Sequence, residues 1–222
     1  FGIPRQSGRV EALKARIIFE PEYRNADACR GLEEFSHIWL IWEFSEAKRT
    51  KWSPTVRPPR LGGNVRKGVF ATRSPFRPNS IGLSCVKLTK VSLDEPDSPV
   101  IFVEGADLMN GTPIFDIKPY IPYADCHPEA TGSFAEFVRD YHLNVEFPPH
   151  LLEKIPPESR EALMAVLADD PRPAYQNDPE RSYGMPFGDK DIHFRVNGDT
   201  LRVHDVTDFV KKQQESAADC EK

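Results

Sequence analysis

The chain has 222 residues, a mass of 25.2 kDa and a net charge of −5, with 39% hydrophobic and 28% charged residues. That balance supports a buried core and excludes wholesale disorder, and apolar runs such as "HIWLIWEF" fall far short of the ~20 residues that span a bilayer. The charge is unevenly placed: Ala47 to Leu93 holds eleven Lys or Arg and no Asp or Glu, so it carries +11 and leaves −16 for the remainder. Such a stretch offers a localised field for an anion on an otherwise acidic, soluble protein.

In chain order, "IPRQSG" (3–8) opens as an extended polar segment beside a glycine. Strands are expected at "ARIIFE" (15–20), "HIWLIWEF" (37–44), "GVFAT" (68–72), "LSCVKLTKV" (83–91), "VIFVEGADL" (100–108) and "IFDIKPYI" (114–121). They are rich in Val, Ile, Phe and Trp and are bounded by Gly, Pro, Asn and Asp. "LSCVKLTKV" alternates, with Ser84, Val86 and Leu88 on a different face from Cys85, Lys87 and Thr89. No long helical pattern separates these strands, which excludes a parallel βαβ sheet and predicts a mainly β fold with a small antiparallel barrel. "PPRLGGNVRKG" and the loop within "GVFATRSPFRPNSIGLS" (68–84) are connections stiffened by proline. "MNGTP" reads as a turn joining two strands.

After Tyr123 the texture changes. "SFAEFVRDYH" reads as a short helix, and "PPESREALMAVLADDP" as a better one, with Leu163, Val166 and Leu167 on one face and Pro171 as its stop. "IHFRVNGDTLRVHDV" is a hairpin about Asn197-Gly198. The expected organisation is therefore a β-barrel domain over 1–142 and a small α+β domain over 143–222, the latter ending in a fraying tail, "KKQQESAADCEK". Cys29, Cys85, Cys126 and Cys220 form no CxxC pair and have no zinc-type histidine spacing. They read as incidental thiols of a cytoplasmic protein without a metal site.

Phosphate loops of Walker type, G-x-G-x-x-G and G-x-S-x-G are all absent. Three loops remain. In the first, Arg73 and Arg77 flank Pro75, and Pro78 follows. Proline lowers the entropy cost of presenting a guanidinium, and the planar fork matches a carboxylate or phosphate. The alternative is arginines that cap carbonyls within a tight turn. In the second, "GADLMNGTPIFDIKPY" places Asp107, Asp116 and Lys118 near the arms of a turn. These carboxylates suit an amine or a ribose diol, or else form a salt bridge along a strand. The third, Pro4-Arg5-Gln6, says little alone.

Together, "GVFATRSPFRPNSIGLS", "DLMNGTPIFDIKPY", "PRQ", "RGLEEFSHIWLIWEF" and "RPPRLGGN" closely resemble the TsaA/TrmO-like (YaeB) tRNA methyltransferases, with "DDPRPAY" fitting the carboxyl-terminal region of bacterial members. The resemblance runs from Gly2 to about Val206. It implies a β-barrel that binds S-adenosylmethionine outside the Rossmann-like class. It also implies a homodimer with active sites near the interface, methylating the exocyclic nitrogen of N6-threonylcarbamoyladenosine beside the anticodon of threonine tRNA. Carried over, the cofactor lies among Pro4, Arg5, Gln6, Arg73, Leu83 and Gly105, Ala106, Asp107 and Leu108. The cofactor site implied by the resemblance also includes Ser45 and Glu46, which stand where members often have His-Gln, while Asn110 stands where many have Asp. Candidate catalytic groups are Asp107, Asp116 and His37, although His37, in an apolar strand, also reads as a satisfied core histidine. Arg57, Arg60, Arg66, Lys67 and Arg77 are expected on RNA phosphates, and Trp52 on a base. Two other readings stay open: an RNA-binding barrel without catalysis, and a methyltransferase of this fold acting on a small molecule or protein.

Overall fold

The computed structural model describes residues 2–47, 51–58, 61, 65–138, 140–172 and 178–209. Its main sheet has five antiparallel strands: β1 (Lys14–Ile18), β2 (His37–Glu43), β5 (Ile81–Ser92), β6 (Val100–Glu104) and β7 (Ile114–Pro119), in the order β1-β6-β5-β2-β7. A two-stranded ribbon, β3 (Thr55–Val56) with β4 (Lys67–Gly68), stands beside it. The mainly β, non-Rossmann expectation holds. The sheet order is linear, and among the described residues no ladder joins the edge strands β1 and β7 into the expected closed barrel.

Alternation sets which side chains face inward. Ile38, Leu40 and Trp42 of β2 are buried together with Gly82, Ser84, Val86 and Leu88 of β5. With Ile17, Ile101, Val103 and Ala106 most of these form one apolar cluster. The face predicted for "LSCVKLTKV" is observed as far as Leu88, where a register shift before Lys90 resets the pattern. Trp42 lies directly opposite Gly82, and a Cβ there would sit only 2.3 Å from the nearest indole atom. That approach explains a glycine in mid-strand.

Two expected connections differ. "GVFAT" is barely a strand: after Gly68 the chain enters a 3-10 turn over Val69–Ala71, since Val69 N–H bonds Pro54 O and Thr72 caps Val69. "MNGTP" does not make a hairpin, because β6 pairs with β1 and β5 while β7 pairs with β2. The segment between β6 and β7 therefore crosses β5 and β2 at one end of the sheet. Gly111, with φ 82°, turns it, and Pro113 O accepts from Glu43 N–H at 3.0 Å.

The second layer carries a four-stranded sheet in the order β8-β11-β10-β9: β8 (Asn144–Glu146), β9 (Tyr183–Phe187), β10 (Lys190–Asn197) and β11 (Thr200–Asp208). The Asn197-Gly198 hairpin appears as expected, whereas β8 and β9 carry too little alternation to be read from sequence. Helices α1 (Pro122–Asp125) and α2 (Pro149–Leu152) are single turns, and α3 (Pro157–Ala168) buries Leu163, Val166 and Leu167 against this sheet. "SFAEFV" is a 3-10 turn. Helix α3 ends at Ala168 with Asp169 as its cap, and Asp170, at φ 53°, donates its N–H to Leu167 O before Pro171 is reached. Val10, from the amino-terminal segment, is 1% exposed and belongs to this second core. The tail from 210 lies outside the described residues.

Candidate functional site

Short hydroxyl bonds shape the basic loop. Thr72 Oγ1 donates to Val69 O at 2.9 Å and accepts from Ser74 N–H at 3.3 Å, and Ser74 Oγ accepts from Phe76 N–H at 3.2 Å. Arg77 caps Thr72 O at 3.1 Å, the alternative role foreseen for it, and its guanidinium also lies 6.0 Å from the centre of the Phe70 ring. Arg73 instead leaves the loop and donates to Gln6 Oε1.

That bond brings the loops together. Gly8 N–H donates to Gly105 O and Gly105 N–H to Leu13 O, both at 2.9 Å. Gly105 has φ 77°, and a Cβ on it would sit 3.3 Å from Gly8 Cα, so backbone packs on backbone. Two residues on, Asp107 accepts from Ser84 Oγ at 2.6 Å, and Ser84 accepts from Trp42 Nε1 at 2.9 Å. Burial pushes the Asp107 carboxyl above its usual range. The Ser84 hydroxyl, backbone N–H groups of Asp107 and Ser7, and the Arg73 charge oppose that rise. Desolvation of the charged form is the larger effect.

Of the expected cofactor residues, Gln6, Arg73, Gly105 and Asp107 thus share one corner. Pro4 is buried, Ala106 is in the core and Leu108 packs against it. Arg5 lines the adjoining groove, and its guanidinium donates to Asp170 O at 3.1 Å and to Arg172 O. Ser45 and Glu46 form a 3-10 turn just past β2, with Glu46 exposed. Leu83 is 56% exposed and points to the face opposite Ser84, beside Ile81 at 47%.

The other catalytic candidates stand apart. Asp116 is exposed on edge strand β7 and pairs with Lys118 at 3.1 Å, the strand salt bridge foreseen as its alternative. Lys118 and the Ile117 N–H hold its carboxyl below the usual range. His37 is exposed, not a core histidine: it bonds Ser36 at 2.9 Å and meets the Tyr120 ring edge-on. It begins β2, six residues from Glu43 or ~20 Å along the strand, with its side chain on the face opposite Trp42.

Beyond this corner opens a groove of about 1850 Å3. Arg57, Arg66, Lys67, Arg73 and Arg77 line it, and Glu43 is the one carboxylate among its described lining residues. Among the described residues none of those five cations is ion-paired with a carboxylate. Trp52 and Phe70, 52% and 72% exposed, face each other across 6.3 Å in the same groove. Arg60 lies outside the described residues. No group of three or more His, Cys, Asp or Glu with metal-binding geometry occurs among the described residues, and no described helix is long and apolar enough to cross a membrane.

Sequence reasoning missed Ser84, Trp42, Ser7 and Gly8 as parts of the corner. A serine at an inward position of an apolar alternation was the one available signal for Ser84.

Comparison with known proteins matches residues 1–126 to the tRNA-methyltransferase O N-terminal domain and residues 140–209 to the TrmO C-terminal domain. The chain is 43% identical over 204 residues to the tRNA (adenine(37)-N6)-methyltransferase of Escherichia coli, covering 88% of this chain and 86% of that protein. It is 38% identical over 215 residues, 93% of this chain and 90% of the other, to RcsF of Pseudomonas aeruginosa, provisionally named an S-adenosylmethionine-dependent methyltransferase. A crystal structure of TrmO from Pseudomonas aeruginosa superposes with a TM-score of 0.70 and 31% identity, covering 93% of this chain and 91% of that one.

Proposed function

The chain belongs to the tRNA-methyltransferase O family, and on that premise we propose that it is a tRNA (adenine-N6)-methyltransferase acting at position 37. Its substrate is N6-threonylcarbamoyladenosine and its methyl donor is S-adenosylmethionine. The observation that carries this reading is the meeting of three sequence-distant loops, at Gln6, Arg73 and Gly105–Asp107, beside a cation-lined groove.

The chemistry of the corner fits the cofactor. The Arg73 fork matches its carboxylate, Asp107 suits its ammonium or ribose hydroxyls, and Gly105 admits close backbone approach. When bound, S-adenosylmethionine supplies an electrophilic methyl group. The protein's part is to hold donor and acceptor in line, worth on the order of 7–11 kcal/mol for well-oriented pairs. Asp107, rather than Asp116 or His37, is the candidate for proton exchange, because it alone stands at the corner and burial raises its pKa.

The groove takes the RNA. Arg57, Arg66, Lys67 and Arg77 meet phosphates or the threonyl carboxylate, and the exposed Trp52 and Phe70 rings offer stacking faces to an unpaired base. Leu83, 56% exposed and not part of the groove lining, forms the contact to a second copy in a homodimer. The division into a unit over 1–142 and one over 143–222 belongs to the same proposal, with Val10 of the first packed into the core of the second.

The deciding test is methyl transfer to tRNA carrying the threonylcarbamoyl group, read by mass spectrometry of nucleosides. A methylated N6-threonylcarbamoyladenosine is expected. Cofactor turnover on a small molecule with none on tRNA would replace this reading by the alternative methyltransferase, and RNA binding without cofactor binding by the non-catalytic one.

A further inference from the structure

Residues 2–13 run between the two layers as a strap, and its side chains are shared out between them. On one side Arg5 donates to Asp170 O and Arg172 O, Arg9 Nε pairs with Asp169 Oδ1 at 2.6 Å, and Val10 is sunk in the second core. At its start, a Cβ on Gly2 would collide with Pro186 O of β9. On the other side Gln6 accepts from Arg73, the Ser7 N–H meets the Asp107 carboxylate, and Gly8 N–H bonds Gly105 O. The residues that touch the corner are bracketed by residues clamped to the carboxyl-terminal layer.

The clamp is built to be stiff. Asp169, Asp170 and Arg172 are 4%, 7% and 7% exposed, buried polar groups at the end of α3. Arg172 grips Asp170 in a two-point pair at 2.8 and 3.0 Å, and Tyr141 Oη adds a bond to Asp170 at 3.2 Å. This fixes the two carbonyls that Arg5 reads. A buried, hydrogen-bonded ion pair is costly to break from one side, so it holds its geometry against thermal motion.

We propose that Asp169, Asp170 and Arg172, acting through Arg5 and Arg9, are positioning residues for the cofactor corner: the carboxyl-terminal layer holds the strap so that Gln6 and Ser7 meet Arg73 and Asp107. This assigns Arg5 to positioning rather than to cofactor contact. It rests on the reading of the corner as the S-adenosylmethionine site. The coupling is reciprocal, so cofactor binding must also quiet the end of α3.

The test uses the full chain and titration calorimetry with S-adenosylmethionine. Asp169→Asn and Arg5→Met are each expected to weaken binding about 5–10-fold, within the usual range of coupling between sites. The salt dependence of tRNA binding stays as in the wild type. The charge-swapped pair Arg9→Asp with Asp169→Arg restores affinity to within about twofold of wild type. Independently of any variant, hydrogen exchange on the wild type should show cofactor slowing the amides of Gly8, Asp169 and Asp170. Unchanged affinity in both single variants, or protection confined to Gly8, overturns the proposal and leaves the clamp as bracing. A wild type that binds no S-adenosylmethionine is a different failure: it refutes the corner as the cofactor site.

Discussion

Replacing Ser84 by alanine tests the corner at its most buried link. Ser84 is 0% exposed, accepts from Trp42 Nε1 at 2.9 Å and donates to Asp107 Oδ1 at 2.6 Å. The variant strands the indole N–H, at about 1–3 kcal/mol, and removes a charge-assisted bond, at about 1.5–3 kcal/mol. Asp107 keeps the Ser7 N–H and is not fully buried, so the net loss is about 2–4 kcal/mol. At roughly 2–4 °C per kcal/mol for a chain of this size, the unfolding midpoint falls by about 4–16 °C. Trp42 fluorescence in a urea series reads the same loss.

The pH dependence carries a sign. The folded Asp107 pKa is raised above 3.8, so its ionisation removes stability as pH rises from there through the folded value. The Ser84 bond lowers that pKa, and its loss raises it further. The deficit of Ser84→Ala therefore widens as pH rises from the wild-type folded value of Asp107 to the higher one in the variant. A loss under about 0.5 kcal/mol, or a deficit that shrinks with pH, refutes the network as the holder of Asp107.

Arg73→Ala should weaken S-adenosylmethionine by about 10-fold or more, with little change in melting temperature, since its hydrogen bond to Gln6 is solvent-exposed; calorimetry and a thermal scan check both. Neutralising Arg66 and Lys67 should flatten the slope of log tRNA affinity against log salt by about 1.4–1.8, while Arg195→Gln, on the exposed face of β10, leaves the slope unchanged; binding across a salt series decides. Phe70→Leu should weaken tRNA by about 1–3 kcal/mol with the salt slope intact, so a changed slope would count against stacking. Leu83→Glu should convert the proposed homodimer to a monomer in light scattering, and a monomeric wild type would dismiss that face as the interface.

Much of the fold was legible because alternation is local. The inward faces of β2 and β5 and the apolar stripe of α3 follow from the side-chain period alone. The chemistry of the corner was legible in part because arginines held by prolines without nearby acids are rare in a solvated loop. Long-range pairing was not legible. "MNGTP" has the local chemistry of a hairpin, yet β6 already has partners on both sides, β1 and β5. The turn therefore becomes a crossing that carries Asp107 to Ser84. Likewise nothing near Arg5 or His37 tells where their side chains end up. Arg5 finds the carbonyls of Asp170 and Arg172, 165 and 167 residues away, and His37 is left exposed by strand parity and by its place at the far end of β2. Sequence determined which residues could bind an anion and which faces would be buried. Only the tertiary structure decided which of them meet, because contacts at that separation are chosen by the packing of whole sheets rather than by neighbours along the chain.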